Sequence, residues 1–337
     1  MPRTFQISSE ENVRKILAHS KHAALRALQS YDLDLDWDHI RFNQLSDTCT
    51  FVVQTSKSQT LLLRIHPGMN KEELRSELVW LDALNRLTNI PVPQGVPNRH
   101  GDSVLELKGD HGDDLPVYAT LMRWVDGINE GRELSEEQVF NEGVLLAKLH
   151  HASRQFEPPA DFTRPEWGLP SFNASMIRLA EHHKAFLSHD GFALYQSAAE
   201  KVRTHLTGLV KDTTNYGLIH GDLHQGNIVF DGKHPRPIDF GRCGFGYFLY
   251  DVAHTILGLY PAQRKLVLEG YQSIRKPAAD GLQELESFAV MAMLENFAHH
   301  APDPRETDSL KEEQSYAQAI LRHYLSGSPF LFQAIEL

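Results

Sequence analysis

The sequence has few cysteines and no long apolar segment. Cys49 and Cys243 are its two cysteines, and they lie far apart among 337 residues. Two cysteines are too few for a disulfide framework and too far apart for a zinc ribbon, which favours a reducing compartment. The chain opens with no apolar stretch and contains no run of about 18 apolar residues, the length that spans a bilayer. We therefore predict a cytoplasmic protein with no membrane partner.

Positive charge is also scarce. The chain carries 33 Lys and Arg against 44 Asp and Glu, which gives a formal net charge of -11. Proteins that bind nucleic acid generally present a basic surface, so this balance excludes a general nucleic-acid binder. The 41% hydrophobic and 23% charged composition is ordinary for a globular protein, and the length is sufficient for two lobes with their own cores.

One segment carries most of the chemical information. Leu218–Phe230 (L-I-H-G-D-L-H-Q-G-N-I-V-F) and Pro237–Gly241 (P-I-D-F-G) predict short strands joined by polar turns. Asp222 lies in a turn that is too polar for a core and could accept or orient a hydroxyl proton. Asn227 and Asp239 offer hard oxygen ligands for Mg²⁺ on nucleotide phosphates. The order matches the kinase pattern H-R-D-x-x-x-x-N followed by D-F-G, which predicts phosphoryl transfer.

These motifs resemble the aminoglycoside/choline-kinase-like phosphotransferase family, a branch of the protein-kinase-like fold. Gly221 stands where protein kinases carry Arg, as is typical of that branch, and Tyr250-Asp251-Val252-Ala253 also fits its pattern. Segments at Arg75–Leu81 and Leu121–Gly127 resemble the bacterial homoserine-kinase-type and stress-response-kinase-like group. The resemblance covers about residues 35 to 300. It implies a bilobal α+β fold, with a small antiparallel sheet lobe at residues 1–123 and a mainly helical lobe at residues 124–337.

The resemblance also implies where the first lobe meets the nucleotide. Alternating apolar residues predict strands over Ile40–Phe42, Thr50–Gln54 and Thr60–Ile65. In the resembling fold, a loop between the first two strands covers the phosphates, and here that loop is the turn Ser46-Asp47-Thr48. The turn lacks the glycine-rich pattern of protein kinases, so an ordinary hairpin turn is the alternative interpretation.

Arg64 occupies the place on the third strand at which kinases carry a phosphate-binding lysine. The planar guanidinium suits phosphate, although its geometry differs from that of an ammonium group. In kinases a helix glutamate holds this cation. Glu77 lies at the edge of the apolar face of a helix predicted over Lys71–Leu87 and is the best partner for Arg64. Glu73, one turn earlier, is the alternative partner, and a surface position is the alternative role for Arg64.

Two further sets of contacts are implied by the family. Met122 and Trp124 lie where the linker between the lobes would pair its backbone with the adenine edge. Helical periodicity continues through the C-terminal part, which in the resembling family forms the wall of the acceptor site. Glu295 and His299 share one face of a helix predicted over Gly281–His300, so they are candidate acceptor contacts, with a plain surface position as the alternative.

Several other residues are assigned structural roles. We expect the His220 ring to bond the backbone near D-F-G and Asp251 to stabilise the catalytic loop. His224 either approaches the phosphates or packs. The adjacent His150 and His151 are interpreted as the packed end of a helix rather than metal ligands. The acidic stretch from residue 109 to residue 114 is interpreted as an exposed turn.

The predicted function is transfer of the γ-phosphoryl group of ATP, with Mg²⁺, to a hydroxyl of a small molecule such as an amino alcohol, a sugar or an antibiotic. Asp222 is the predicted catalytic base. One alternative keeps the fold but makes the acceptor a protein Ser or Thr, as in bacterial stress-response kinases. A second is a nucleotide-binding pseudokinase, suggested by Arg64 and the missing glycines. A third, a metallohydrolase using His220, Asp222 and His224, is disfavoured because a strand–turn–strand segment breaks the single helix face that this spacing needs.

Overall fold

The structure is a computed structural model that describes residues 5, 7, 9–107, 116–275 and 281–335, without the side chain of Leu282. Its contacts divide the chain into two compact units. Unit 1 comprises the described residues up to Val125 together with Glu157–Arg164. Unit 2 comprises Asp126–Phe156 and the described residues from Pro165 onward. The turn predicted at residues 109–114 lies outside the described residues.

Unit 1 is built on a six-stranded sheet in which each neighbouring pair is antiparallel. The strand order is β1-β2-β3-β6-β4, and β5 also pairs with β6. The strands are β1 Leu35–Leu45, β2 Cys49–Thr55, β3 Thr60–Pro67, β4 Gln94–Val96, β5 Leu105–Leu107 and β6 Val117–Arg123. The first strand begins at Leu35, before the predicted Ile40, because its first residues pair with the end of β2 at Thr55.

Two helices complete the regular structure described in unit 1. Helix α1 (Glu10–Leu28) begins at the N-cap Ser9 and contributes Ala24, Ala27 and Leu28 to the core shared with the sheet. Helix α2 (Lys71–Leu87) has the predicted bounds, and its N-cap Asn70 accepts a hydrogen bond from the Glu72 N–H. Alternating burial along β2 shows which face of that strand meets the core.

Unit 2 is mostly helical. Its helices are α3 Glu136–Gln155, α4 Leu169–His182, α5 His189–Gly208, α6 Phe248–Leu257, α7 Pro261–Ile274, α8 Gly281–His300, α9 Thr307–Glu312 and α10 Gln314–Ser326. Four short strands form two antiparallel pairs, β7 Tyr216–Ile219 with β10 Gly244–Tyr247, and β8 Ile228–Asp231 with β9 His234–Pro237. No helix in the described ranges has the length and apolar character needed to cross a membrane. The predicted α+β class, with an antiparallel sheet followed by a mainly helical part, is confirmed.

Helices α3 and α7 approach each other closely through two glycines. A Cβ at Gly143 would lie 1.9 Å from the Val267 carbonyl oxygen, and one at Gly270 would lie 1.9 Å from the Phe140 carbonyl oxygen. No side chain fits at such distances, so glycine is required at both positions. The close packing fixes α3, which carries two of the buried side chains that support the catalytic loop.

Candidate active site

The predicted catalytic loop, His220–Asn227, joins β7 to β8 and ends in a short 3₁₀ turn at Gln225–Asn227. Gly221 has a positive φ of 77°, and a Cβ there would lie 2.5 Å from the Arg242 carbonyl oxygen. The loop can therefore pass close to the segment after Asp239 because residue 221 has no side chain.

Asp251, in the first turn of α6, holds the beginning of this loop. Its Oδ2 accepts a hydrogen bond from the His220 N–H at 2.7 Å, and its Oδ1 accepts one from the Gly221 N–H at 2.7 Å. The side chain is fully buried. Burial alone would raise the pKa of Asp251, but His150, His220 and the Gly221 N–H outweigh burial and lower it. The expected stabilising role of Asp251 is thus visible as two charge-assisted bonds to consecutive amides.

His150 of α3 supports Asp251 in turn. The His150 ring contacts Asp251 Oδ2 through Nε2 at 3.3 Å and the Tyr271 hydroxyl through Nδ1 at 3.0 Å. It also stacks on Phe248 at 4.5 Å between ring centroids. Burial lowers the pKa of His150, only partly opposed by Asp251, so the ring is neutral at neutral pH. The sequence-based interpretation of His150 as a packed helix end captured its burial and missed its contact with Asp251.

Asp222 lies next, with its side chain 24% exposed. Its Oδ1 is 3.9 Å from Nδ1 of His254. Burial would raise the pKa of Asp222, but Arg242 and the neighbouring histidines outweigh burial and lower it to about 2. Burial lowers the pKa of His254 to about 4, so this ring is neutral at pH 7. Asp222 is therefore a carboxylate throughout the physiological range, partly open to solvent.

Asn227 is oriented by its amide nitrogen. Its Nδ2 donates to the Asp222 carbonyl oxygen at 2.9 Å and lies 3.2 Å from Nε2 of His224. The bond to the Asp222 carbonyl engages the nitrogen and distinguishes it from Oδ1, the atom that could bind a cation. His224 itself is exposed, and its Nδ1 accepts a hydrogen bond from the Gly226 N–H at 3.0 Å, while its approach to the phosphates stays a prediction.

Asp239 is exposed and has a left-handed backbone, with φ 57° and ψ 69°. A non-glycine residue in this region is uncommon and is often found at functional sites. The preceding residue is anchored to the catalytic loop, since His220 Nε2 donates to the Ile238 carbonyl oxygen at 2.9 Å and the Ile238 N–H donates to the Asn227 carbonyl oxygen at 2.9 Å. The expected bond from the His220 ring to the backbone near D-F-G is confirmed.

A second buried carboxyl group meets the loop from α3. Gln225 Nε2 donates to Glu142 Oε2 at 3.1 Å and lies 3.3 Å from the Thr255 carbonyl oxygen. Glu142 is fully buried, and burial raises its pKa to about 8 even though Gln225 partly opposes the shift. At pH 7 this side chain is mainly protonated. No sequence motif pointed to it, because a single Glu inside a helical pattern does not reveal its depth.

Unit 1 contains a separate charged centre. Arg64 of β3 pairs with Glu77 of α2, with Nη1 and Oε1 2.5 Å apart and the two side chains 7% and 3% exposed. The same Nη1 is 3.8 Å from Sδ of Met122. The predicted partner Glu77, rather than Glu73, is therefore the one that holds Arg64. Contact of Arg64 with a nucleotide stays a prediction.

The other predicted nucleotide contacts are distributed along the sheet. Ser46, Asp47 and Thr48 form the turn between β1 and β2, closed by a bond from the Ser46 N–H to the Thr48 carbonyl oxygen at 3.0 Å. Thr48 is buried and Ser46 is exposed. Met122 is buried in β6, and the Trp124 N–H donates to the Thr60 carbonyl oxygen at 3.3 Å. That N–H is thus already engaged within unit 1, and contacts of these residues with a nucleotide stay predictions.

Comparison with known proteins decides the family. The model of the phosphotransferase enzyme family, APH, matches residues 39–288, which is more than half of the chain. The chain belongs to this phosphotransferase family. This confirms the resemblance predicted from the catalytic motifs, and it makes the protein a phosphotransferase that acts on a hydroxyl acceptor.

Individual relatives agree with the assignment. The chain is 29% identical over 153 residues to homoserine kinase of Neisseria meningitidis, which covers 43% of this chain and 47% of that one. The solved structure of a microcompartment-associated aminopropanol kinase aligns with a TM-score of 0.76 and 24% identity, over 91% of this chain and 98% of that chain. Amicoumacin kinase, solved with AMP-PNP, Ca²⁺ and amicoumacin, aligns with a TM-score of 0.75 and 16% identity, over 95% and 98% of the two chains. Both structures share the fold of this phosphotransferase.

The predicted acceptor contacts of the phosphotransferase lie on α8. Glu295 is 2% exposed, and its Oε2 accepts a hydrogen bond from the Tyr250 hydroxyl at 2.5 Å. Burial raises the pKa of Glu295 to about 7. His299 is half-buried, and its ring meets that of His300 at 5.0 Å. Glu295 is thus not the surface residue that its alternative interpretation required, while contact of either side chain with an acceptor stays a prediction.

Arg242 is a site residue that sequence reasoning missed. It directly follows Asp239-Phe240-Gly241, and its guanidinium lies 4.7 Å from the centre of the Trp167 ring. The Trp167 Nε1–H donates to the Arg242 carbonyl oxygen at 2.9 Å. Arg242 also lowers the pKa of Asp222 and partly opposes the rise that burial causes in the pKa of Glu295. Its position immediately after D-F-G was the signal that could have identified it.

The metallohydrolase alternative receives no support from the part of the chain that the structure describes. No group of three or more His, Cys, Asp or Glu side chains there could hold a metal ion. His220 Nε2 instead donates to the Ile238 carbonyl oxygen, and His224 Nδ1 accepts from the Gly226 N–H.

Proposed function

We propose that this phosphotransferase transfers the γ-phosphoryl group of ATP to a hydroxyl group of a small molecule, with Asp222 as the catalytic base. One observation carries the proposal. Hydrogen bonds fix the backbone on which Asp222, Asn227 and Asp239 lie. Asp251 accepts from the His220 and Gly221 amides, the His220 ring donates to the carbonyl of Ile238 just before Asp239, and Asn227 Nδ2 donates to the Asp222 carbonyl. Rigid placement of a carboxylate and two oxygen ligands is what phosphoryl transfer needs, since its catalysis is mostly positioning and charge stabilisation.

Asp222 would meet the acceptor hydroxyl. Its pKa of about 2 makes it a weak base, and it would therefore orient the hydroxyl and take the proton late, as the bond to phosphorus forms. The partly exposed carboxylate leaves room for an acceptor, and neutral His254 beside it adds no competing charge. In this proposal Asp222 contacts the acceptor and Asn227 binds a cation.

The donor set fits Mg²⁺. Asn227 has its nitrogen engaged, which leaves Oδ1 as a ligand atom, and Asp239 presents an exposed carboxylate from a strained backbone. Both are hard oxygen donors, which Mg²⁺ prefers. When bound, Mg²⁺ would neutralise charge on the nucleotide phosphates. Amicoumacin kinase, which shares this fold, was solved with AMP-PNP and Ca²⁺, which supports a nucleotide and a divalent cation here.

The nucleotide-binding role is proposed for the first part of the chain, residues 1–123, and the catalytic and acceptor role for residues 124–337. Arg64, held by Glu77, would contact the phosphates. The turn Ser46-Asp47-Thr48 would approach them, and backbone atoms near Met122 and Trp124 would meet the base. The Trp124 N–H already donates to the Thr60 carbonyl oxygen. We therefore assign the carbonyl oxygen of Trp124 to the adenine amino group.

A small-molecule acceptor is favoured over a protein Ser or Thr. The relatives named above act, by their names, on homoserine, aminopropanol and amicoumacin. Glu295 and His299 are our candidate acceptor contacts. Both cysteines are buried free thiols, which supports action in a reducing compartment such as the cytoplasm.

The test is ADP release with ATP and Mg²⁺ against amino alcohols, sugars, aminoglycosides, macrolides and a generic protein substrate. We expect turnover with one class of small molecule and a loss of about 10³-fold in D222N, the range for removal of a general base. Phosphate on the protein substrate would replace this proposal with the stress-response-kinase alternative. Nucleotide binding without any turnover would favour the pseudokinase, and absence of nucleotide binding would overturn the proposal altogether.

A further inference from the structure

The chain returns to unit 1 at a point where its neighbours in sequence belong to unit 2. Glu157–Arg164 is grouped with unit 1, whereas Asp126–Phe156 before it and Pro165 after it belong to unit 2. Apart from a turn closed by a bond from the Phe162 N–H to the Pro159 carbonyl oxygen at 3.0 Å, the segment has little regular structure. Its last two residues are attached to α2.

The attachment consists of hydrogen bonds to one face of α2. The Thr163 N–H donates to Ser76 Oγ at 2.9 Å, and Arg164 Nη1 donates to the Glu73 carbonyl oxygen at 3.0 Å. The same Nη1 lies 3.9 Å from Oε2 of Glu77. Residues 73, 76 and 77 are spaced i, i+3 and i+4, so they share a face of the helix.

Glu77 therefore lies between two guanidinium groups. Its Oε1 accepts from Arg64 at 2.5 Å, while its Oε2 has Arg164 at 3.9 Å and accepts no hydrogen bond within the described residues. The side chain of Arg164 is 1% exposed and that of Glu77 is 3% exposed. At this depth a charged carboxylate depends on nearby cations, and its orientation depends on where they lie.

Both arginines also lower the pKa of one buried residue, His66. It is fully buried on β3, and its Nε2 contacts Thr120 Oγ1 at 2.9 Å. Burial first, then Arg64 and Arg164, lower its pKa well below the usual range. Both cations are thus close enough to influence the same buried ring.

We propose that Arg164 is a positioning residue for nucleotide binding. By engaging α2 at the Glu73 carbonyl and facing Oε2 of Glu77, it keeps Oε1 directed at Arg64, and so keeps Arg64 in place for the nucleotide phosphates. This rests on the proposed function only in that Arg64 contacts the nucleotide. Arg164 acts through Glu77, since it contacts Glu73 and Glu77 of α2.

The experiment measures the Kd of Mg·ADP by calorimetry in the full chain, which needs no knowledge of the acceptor. We expect R164Q to weaken binding about tenfold, the effect of losing about one charge-assisted hydrogen bond. In R164K, which keeps the charge but loses the planar fork, we expect a weakening of about threefold. The control is R264Q. Arg264 is 2% exposed and bonds the Ile256, Leu259 and Leu331 carbonyls within unit 2. R264Q should lower Tm without changing the Kd.

Measuring the effect of R164Q on the Kd in the E77Q variant distinguishes positioning through Glu77 from a purely structural role. If Arg164 acts through Glu77, R164Q added to E77Q changes the Kd by a factor close to one. The proposal is overturned if folded R164Q binds Mg·ADP as the wild type does, or if R164Q weakens binding equally in both backgrounds. Should R164Q not fold, R164K is measured in the same two backgrounds. Failure of the proposed function is a different result, because then the wild type would not bind Mg·ADP.

Discussion

Unit 1 and unit 2 each contain a buried charged centre, and the two are held in opposite ways. In unit 2, the carboxylate of Asp251 accepts from two backbone amides and fixes the catalytic loop. In unit 1, the contact joins two side chains, since the Glu77 carboxylate accepts a hydrogen bond from the Arg64 guanidinium. Backbone bonds fix the path of the chain, whereas the ion pair fixes only the tip of one long side chain.

The difference predicts separate kinetic signatures. Changes at the centre of unit 2 should lower kcat, because they move or remove groups that meet the reacting atoms. Changes at the centre of unit 1 should act mainly on the KM for ATP, because Arg64 is proposed to contact the nucleotide. A kcat effect and a KM effect are distinguishable in one steady-state experiment.

The largest effect is expected for D239N. Replacing this exposed carboxylate by an amide removes the charged ligand of the proposed Mg²⁺ site, and we expect a loss of about 10³-fold in kcat, comparable to loss of a major electrostatic contact. Steady-state rates measured across a range of Mg²⁺ concentrations test this. The matched control is D231N, another exposed aspartate of unit 2, which forms an ion pair with Arg236. Surface pairs contribute little, so D231N should retain wild-type kcat, and equal losses in both variants would contradict the metal assignment.

A smaller loss is expected for D251N. The amide keeps one oxygen for an N–H donor but turns an NH₂ group toward the other, so one of the two loop amides loses its acceptor. We expect kcat to fall about 10²-fold and Tm to fall with it, since a buried unsatisfied donor costs about 1–3 kcal/mol.

The comparison for D251N is D212N. Asp212 also accepts a backbone bond, from the Thr214 N–H at 2.6 Å, but it is exposed. Water can replace that bond, so D212N should leave both kcat and Tm close to wild type. If D251N retained wild-type kcat, the catalytic loop would not depend on Asp251 for its shape.

The two centres also differ in how far the sequence revealed them. Asp222, Asn227 and Asp239 lie close together in the chain, so their spacing alone indicated phosphoryl transfer. The resemblance to kinases implied that a helix glutamate holds Arg64, and the helical periodicity of Lys71–Leu87 favoured Glu77, at the edge of the apolar face, over Glu73. Both inferences use local patterns, and local patterns are visible in a single sequence.

The supporting side chains could not be predicted in this way. His150, Tyr271 and Asp251 meet from three different helices, and Arg164 reaches α2 from a segment far along the chain. Their contacts depend on tertiary packing, such as the close approach of α3 and α7 at Gly143 and Gly270. The sequence therefore indicated the chemistry and the fold class, while the groups that hold the chemistry in place needed the structure.

In unit 1, the expected effect is smaller and lies in a different parameter. E77Q keeps the size of the side chain but removes the charge that holds Arg64. We expect the KM for ATP to rise about tenfold with a lesser change in kcat, which corresponds to about 1.4 kcal/mol of binding. The control is E73Q, because Glu73 is on the same helix and the carbonyl oxygen with which it accepts the bond from Arg164 is kept in the variant. A rise in KM for E73Q equal to that for E77Q would contradict the selective role of Glu77.

The smallest effect is a change in the pH dependence of stability caused by Glu142, which supports the loop of unit 2 through Gln225. The pKa of Glu142 is about 8 in the folded protein, well above about 4.3 for an unfolded Glu. A raised pKa means that the folded state binds the proton more tightly. The stabilisation is complete below the unfolded pKa and is lost as pH rises through the folded pKa. E142Q resembles the protonated form and removes this dependence.

We therefore expect the Tm of E142Q minus the Tm of the wild type to increase from pH 5 to pH 8 by at least about 3 °C and then to level off. Differential scanning calorimetry at half-unit pH steps measures it. Glu295, with a pKa of about 7, adds the same trend to both proteins and cancels in the difference. A difference in Tm that stayed constant with pH would show that Glu142 ionises normally in the folded state. Gln225 of the catalytic loop would then be held by a charged carboxylate, as Arg64 is held by Glu77 in unit 1.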